Sequence, residues 1–402
     1  MIRLPRAPLR QDQLLYKSSI EKSKSDGTAS SLCLSKTNAE DPAIFEFYMS
    51  ILTIVCSRNN LQALLVFALL VSLGSCTQDP WAVDTDHVEL STPWKPLDLM
   101  AVLSTLPEDS TQASEFYAQQ TGQFGAIYVE DILRIGPSES PTTAFELRNF
   151  ANHPEVQPIS QAIDSISGTA ASKSAHSETL QQAFKRFHAH FPDDSIPQLV
   201  WMNSGFNHAV FPTPQHLGIG LEWFLGAGHP LVQTLPTHMF PAYQRERMEP
   251  NRIAATAMRG WLLVHFSDPW YAPKTCADEM LFWGKSLFIL EQLMPNTPPH
   301  LLMDWTASDW NWALENERQV WVEMQPQGEL FETNRQKFGR WFNEGPFTRA
   351  ASIPQESPDR LGAWIGWNAV SDYMNEHPET SLSDLMQTTD PLPVLKAYRP
   401  DR

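Results

Sequence analysis

The chain has 402 residues, with 46 acidic against 29 basic side chains, a net charge of −17 and 42% hydrophobic residues. That composition excludes disorder as its main state and supplies core for one large or two modest domains. The negative field repels phosphate backbones and no run of Lys or Arg offsets it, so nucleic acid is not expected as a partner; four cysteines exclude a dense disulfide scaffold.

The first 75 residues are a different kind of polypeptide from the rest, because all 14 Trp and all 12 His fall beyond them. Residues 63–71 read ALLVFALLV, an apolar run too short to span a bilayer but the right length for the hydrophobic part of a signal peptide. It runs into Leu73-Gly74-Ser75-Cys76, which resembles a bacterial lipobox: a branched residue, two small ones that let a peptidase reach the backbone, and a thiol to carry the lipid. Residues 49–75 are therefore expected to be a lipoprotein signal peptide and Cys76 the lipidated residue. The Ser- and Lys-rich stretch 1–48 fits no leader and is expected to be a disordered, over-extended N-terminus. Cleavage before Cys76 removes Cys33 and Cys56 and leaves Cys276 without a disulfide partner. Thr77 after the cysteine, in place of an Asp that holds lipoproteins in the inner membrane, favours the outer membrane.

Residues 76–96, polar and carrying Pro80, Pro93 and Pro96, read as a tether, followed by a single domain over 97–402. Helical stretches are predicted around residues 111–128, 128–135 and 178–191. In the last, Leu180, Phe184, Phe187 and Phe191 share one face. Residues 198–202, 206–211 and 217–224 are short, apolar and separated by Asn, Gly and Pro, so they read as strands of a small sheet. From Pro241 the pattern is helical again. Helices, a few strands, then helices give α+β, mostly helical with a small sheet.

Three C-terminal helices carry the candidate chemistry. The first, 278–294, has a seam of Trp283, Leu287, Leu290 and Met294, with Glu279 one turn before it. The second, 309–325, opens on a capping box of Thr306 and Asp309 and places Glu317 between Trp310, Leu314 and Trp321. The third, 358–377, takes Ser357 as N-cap and Pro358 in its first turn, with Pro378 beyond its end. Two carboxylates on apolar faces could form a metal or acid/base pair. A metallopeptidase helix of the His-Glu-x-x-His kind would fall on Asp278-Glu279-Met280-Leu281-Phe282, where only the Glu matches, so no metal ligand, cofactor or catalytic residue is assigned. Pairing of Glu279 and Glu317 with cations such as Lys285, Arg318 or Arg360 is the favoured reading. His188 and His190, at i and i+2 on a helix, cannot close on one ion. Gly362-x-x-x-Gly366 reads as a close helix crossing rather than a membrane dimer. Most Trp match the apolar period of a core; Trp364 and Trp367 beside Arg360 are the exception, an Arg–aromatic cluster able to take an acidic group.

The lipobox, HLGIGLEWFLG (216–226), DEMLFWGKSLFILEQLMP (278–295), NWALENERQVW (311–321), SPDRLGAWIGWNAVSDYM (357–374), SLSDLM (381–386) and KAYRP (396–400) together resemble the gliding-motility-associated lipoprotein GldB family of Bacteroidetes. The resemblance covers about residues 95–400. It implies an envelope protein, lipid-anchored at Cys76, with protein partners in the gliding or associated secretion machinery, and a fold resembling a degenerate zincin-like metallopeptidase. It supplies no catalytic residues. The expected function is non-catalytic, through a cleft bearing Glu279, Glu317, Arg360, Trp364 and Trp367; the alternative is an envelope hydrolase, peptidase or glycosidase, using Glu279 and Glu317.

Overall fold

A computed structural model describes residues 79–90, 94–140, 142–267, 273–350 and 352–400. The prefix 1–48, the leader 49–75 and Cys76 lie outside the described residues. The chain divides into a smaller unit of residues 20–82 and a larger body from residue 83 on. The described part of the smaller unit is a turn in which the Asp79 carboxylate accepts from the Trp81 N–H at 2.9 Å.

The body begins with strand β1 (Leu97–Asp98) and helices α1 (Leu99–Ser104), α2 (Ser110–Thr121) and α3 (Gln123–Ile127). A single helix over 111–128 is predicted, but Gly122 breaks it with φ +53°. A π-helix follows, Tyr128–Leu133, and Arg134 ends it in the left-handed region at φ 56°. Helices α4 (Thr143–Ala151) and α5 (Gln157–Ser165) have no counterpart in the sequence reading. Helix α6 (Ala170–His190) starts eight residues before the expected 178, because Thr169 caps it by accepting from Ser172 N–H at 3.1 Å.

The sheet has the order β1-β2-β4-β3, with β2 (Gln198–Met202), β3 (Val210–Pro212) and β4 (His216–Gly220). β1, β2 and β4 are parallel, with Leu97 opposite Val200 and Met202 opposite Gly220; β3 runs antiparallel to β4. Leu199–Met202 and all of β4 are buried, the mark of parallel strands covered on both faces. β2 coincides with its predicted span. The strand predicted at 206–211 shrinks to Val210–Pro212, because Gly205 and Phe206 take positive φ. The one predicted at 217–224 stops at Gly220 and Leu221–Phe224 winds into a 3-10 turn. The carboxyl ends of β2 and β4 therefore open side by side.

Beyond the sheet come α7 (Pro230–Gln233), α8 (Ala242–Glu246), α9 (Ile253–His265), α10 (Cys276–Leu293), α11 (Pro299–Leu302), α12 (Ala307–Met324), α13 (Arg335–Phe338), α14 (Leu361–Glu376), α15 (Leu382–Gln387) and α16 (Leu392–Ala397). The Thr306–Asp309 capping box on α12 forms as expected, and Thr275 with Asp278 makes a second one on α10. α14 begins three residues later than predicted. Thr348 binds the Pro358 carbonyl through both its N–H and its hydroxyl at 2.9 Å, and Arg360 sits at φ 53°, so Ser357 is not the cap.

Helices α10 and α14 form the central pair, and glycines set their distance. A Cβ on Gly366 would lie 2.2 Å from the Met280 carbonyl oxygen, and one on Gly284 would lie 2.2 Å from that of Gly366. The Gly362-x-x-x-Gly366 spacing thus serves close packing inside the body. Among the described residues no helix is long and apolar enough to cross a membrane.

Candidate functional site

Glu279 stands in the first turn of α10, 6% exposed, and its Oε1 accepts from Arg335 Nη2 at 2.9 Å. Burial raises its pKa and Arg335 opposes that shift. Glu317 lies on α12, where Oε1 accepts from the Tyr398 hydroxyl at 2.7 Å and from Asn368 Nδ2 at 3.0 Å. Of the expected cations, Lys285 and Arg360 are engaged elsewhere. Lys285 donates to the Met386 and Thr388 carbonyls at 2.9 and 2.6 Å, burial lowering its pKa to about 8. Glu279 and Glu317 share no hydrogen-bond partner among these contacts.

Arg360 and Trp364 do come together at the start of α14, but inside the protein: Arg360 is 2% exposed and Trp364 fully buried. Trp305, Trp310, Trp364 and Trp367 form a chain of rings with centroids 5.6–6.3 Å apart, and Trp367 donates to Glu291 Oε2 at 3.1 Å. The expected exception to the core reading is corrected here, because the acidic groups that Arg360 meets belong to the chain itself.

Those groups are part of a charge network, its arginines and Asp359 buried and its other carboxylates half-buried, that joins α8, α9, the 303–309 segment and the start of α14. Asp304 is its hub. Its carboxylate takes Arg252 Nη1 at 2.8 Å, Arg259 Nη2 at 3.4 Å and Arg247 Nη1 at 3.6 Å. Arg247 also lies 3.8 Å from Asp309 and 3.7 Å from Asp359. Arg360 Nε is 3.3 Å from Asp359 and its Nη1 3.7 Å from Glu344, while Nη2 donates to the Met303 carbonyl at 2.7 Å. Asp359 is completed by Trp305 Nε1 at 2.9 Å and Gly345 N–H at 3.1 Å.

Electrostatics follow the geometry. Burial pushes the Asp304 carboxyl up, but Arg259, Arg247, Arg252 and Arg360 together hold it well below the usual carboxylate range. Burial brings Arg247 down to about 9 against the pull of Asp359 and Asp304. It lifts Glu344 to about 6 against Arg360. Four guanidinium groups face four carboxylates, so the network closes on itself as a structural joint. Asp304 at φ 60° and Arg360 at φ 53° are both held in the left-handed region that non-glycine residues adopt only where their surroundings fix it.

A second buried group was not singled out by sequence reasoning. Glu222, fully buried, stands in the 3-10 turn at the carboxyl end of β4. Its Oε1 accepts from Ser204 N–H at 2.9 Å, from Phe206 N–H at 3.0 Å and from the Ser204 hydroxyl. Those donors come from the loop after β2. The signal in the sequence was an acid inside the apolar run 217–224, one position after Gly-Ile-Gly-Leu. Open parallel sheets place their polar crevices at this edge. Among the described residues, no group of three or more His, Cys, Asp or Glu is placed to hold a metal ion.

No match to the chain is found among curated proteins or among solved structures. The family model of gliding motility protein GldB, a lipoprotein family, matches residues 78–400. That span takes in β1 to α16, including both the arginine network and the Glu222 turn. The chain therefore belongs to the gliding motility protein GldB family.

Proposed function

We propose that the protein is held at the outer membrane by lipid on Cys76 and serves the gliding-motility machinery, or the secretion associated with it, by binding an envelope partner without catalysis. The observation that carries this reading is the closed charge network: Arg247, Arg252, Arg259 and Arg360 are opposed by Asp304, Asp309, Asp359 and Glu344, which supports a rigid scaffold rather than a reactive centre. The family match supports the motility role. In this reading the Asp278–Phe282 segment is a metallopeptidase-like helix that has kept its Glu and none of the histidines. A hydrolase working through Glu279 and Glu317 would need the two to act on one bond; their separate partners support the non-catalytic form.

Deletion of the gene is the test, with gliding, surface-protein export and envelope integrity measured together. Loss of one or more, restored by the wild-type chain but not by Cys76→Ser, is expected; a deletion strain intact in all three refutes the role. Wild-type protein that takes up no labelled fatty acid refutes the anchor. Glu279→Gln is expected to complement fully; hydrolytic activity in the purified protein that this change abolishes refutes the non-catalytic reading.

A further inference from the structure

We propose that Glu222 is the bolt of a pH-operated latch: its carboxyl holds the 203–208 loop shut over the carboxyl ends of β2 and β4, and ionisation releases that loop with the Phe206 ring it carries. The inference rests first on an asymmetry within one side chain. Oε1 takes all three donors, Ser204 N–H, Ser204 Oγ and Phe206 N–H. Oε2 is buried and meets no hydrogen-bond partner. A neutral carboxyl carries its proton on Oε2 at the cost of one unpaired O–H, whereas a carboxylate leaves a desolvated, uncompensated charge there, which costs more.

The loop is built to depend on this carboxyl. Gly205 and Phe206 stand in succession at φ 66° and 60°, a left-handed pair that a phenylalanine keeps only under constraint. Two of the three bonds to Glu222 come from Ser204 and one from Phe206, on either side of Gly205. Gly220 lets the loop lie directly on the strand end: a Cβ there would fall 2.2 Å from the His208 carbonyl oxygen and 3.1 Å from both Glu222 Oε1 and Ser204 Oγ. The Phe206 ring packs 6.1 Å from Trp223 and 5.6 Å from Phe240, so opening the loop uncovers aromatic surface.

The groups facing Glu222 leave it as the titrating element. From the π-helix comes the Tyr128 phenol, whose hydroxyl donates to the Asn203 carbonyl at 2.7 Å. Burial raises both this phenol and Tyr117 behind it, so neither ionises near neutrality. Asp164 on α5 is exposed. His208, in the loop itself, is lowered by burial and by Arg134. For Glu222, burial raises the pKa from 4.5 to about 7 against the bonds from Ser204 and Phe206. Any opened state in which the carboxyl regains its ordinary value is therefore favoured as pH rises, by about ten-fold between pH 6 and pH 8.

Hydrogen exchange of the 203–208 amides on the full-length protein, corrected for intrinsic rates, tests the latch. Protection is expected to fall about ten-fold from pH 6 to pH 8 in the wild type and in His208→Gln, and to stay level in Glu222→Gln, where the amide keeps Oε1 but cannot ionise. A level profile in the wild type, a fall that persists in Glu222→Gln, or one that vanishes in His208→Gln overturns it. Ser204→Ala supplies a second arm should Glu222→Gln not fold: loss of a donor to the carboxylate moves the fall to higher pH, and an unmoved midpoint overturns the proposal.

Discussion

Gly366→Ala adds one methyl where the two central helices touch backbone to backbone. The new Cβ would sit 2.2 Å from the Met280 carbonyl oxygen and 2.9 Å from its carbon. Because the obstacle is main chain, no side chain can turn aside, and α10 and α14 must part by about 1 Å to reach ordinary contact distance. Overpacking of this kind costs about 1–3 kcal/mol, and a backbone clash belongs at the upper end. Alanine returns about 0.5–1 kcal/mol through its better helix propensity, which leaves a net loss of about 2 kcal/mol. At roughly 2–4 °C per kcal/mol, the melting midpoint should fall by about 4–8 °C, read by circular dichroism at two wavelengths. Gly228→Ala is the control, since nothing lies within 4 Å of its added Cβ; its midpoint should hold or rise slightly. A Gly366→Ala protein that melts with the wild type would refute the account of the crossing.

Asp359→Asn keeps the shape of that side chain but leaves Arg360 and Arg247 short of a buried counter-charge, and should cost about 3–5 kcal/mol in urea denaturation. Asp304, depressed in the folded state from 3.8, contributes stability that is present above its unfolded pKa and is lost as pH falls through and below about 4; in Asp304→Asn that part of the acid-unfolding slope should disappear. Glu344 has the opposite sign: raised to about 6, it contributes stability below pH 4.5 that is lost as pH rises through 6, so Glu344→Gln should flatten the stability profile between those values. Thr275→Ala and Thr306→Ala each remove one half of a capping box and should each cost about 1 kcal/mol by thermal or urea unfolding.

What was legible in the sequence was whatever depends on near neighbours. The Thr306–Asp309 box closes within four residues, and the short apolar run Leu199–Met202 forms a covered strand. The α14 start was misread because the residue that claims the Pro358 carbonyl is Thr348, ten positions earlier, a contact that no local pattern encodes. The partners of Glu279 and Glu317 were misassigned for the same reason: Arg335 is 56 positions from Glu279 and Tyr398 is 81 from Glu317. The Trp count led correctly toward a core but not to the buried position of Trp364 and Trp367, which the rings of Trp305 and Trp310 enclose. Glu222 escaped because an acid in an apolar run is a sign only once its donors, in the loop that leaves the neighbouring strand, are seen.

The arginine network has a consequence for the order in which the body can be completed. Three of its four arginines are encoded early, at Arg247, Arg252 and Arg259, and half of its acidic side late, at Glu344 and Asp359, together with Arg360. A chain that emerges N-terminus first therefore holds three guanidinium groups against only Asp304 and Asp309 until those later residues arrive. The joint closes only when the 344–360 segment is in place, and a chain cut short before residue 344 keeps three of the four arginines with two of the four carboxylates.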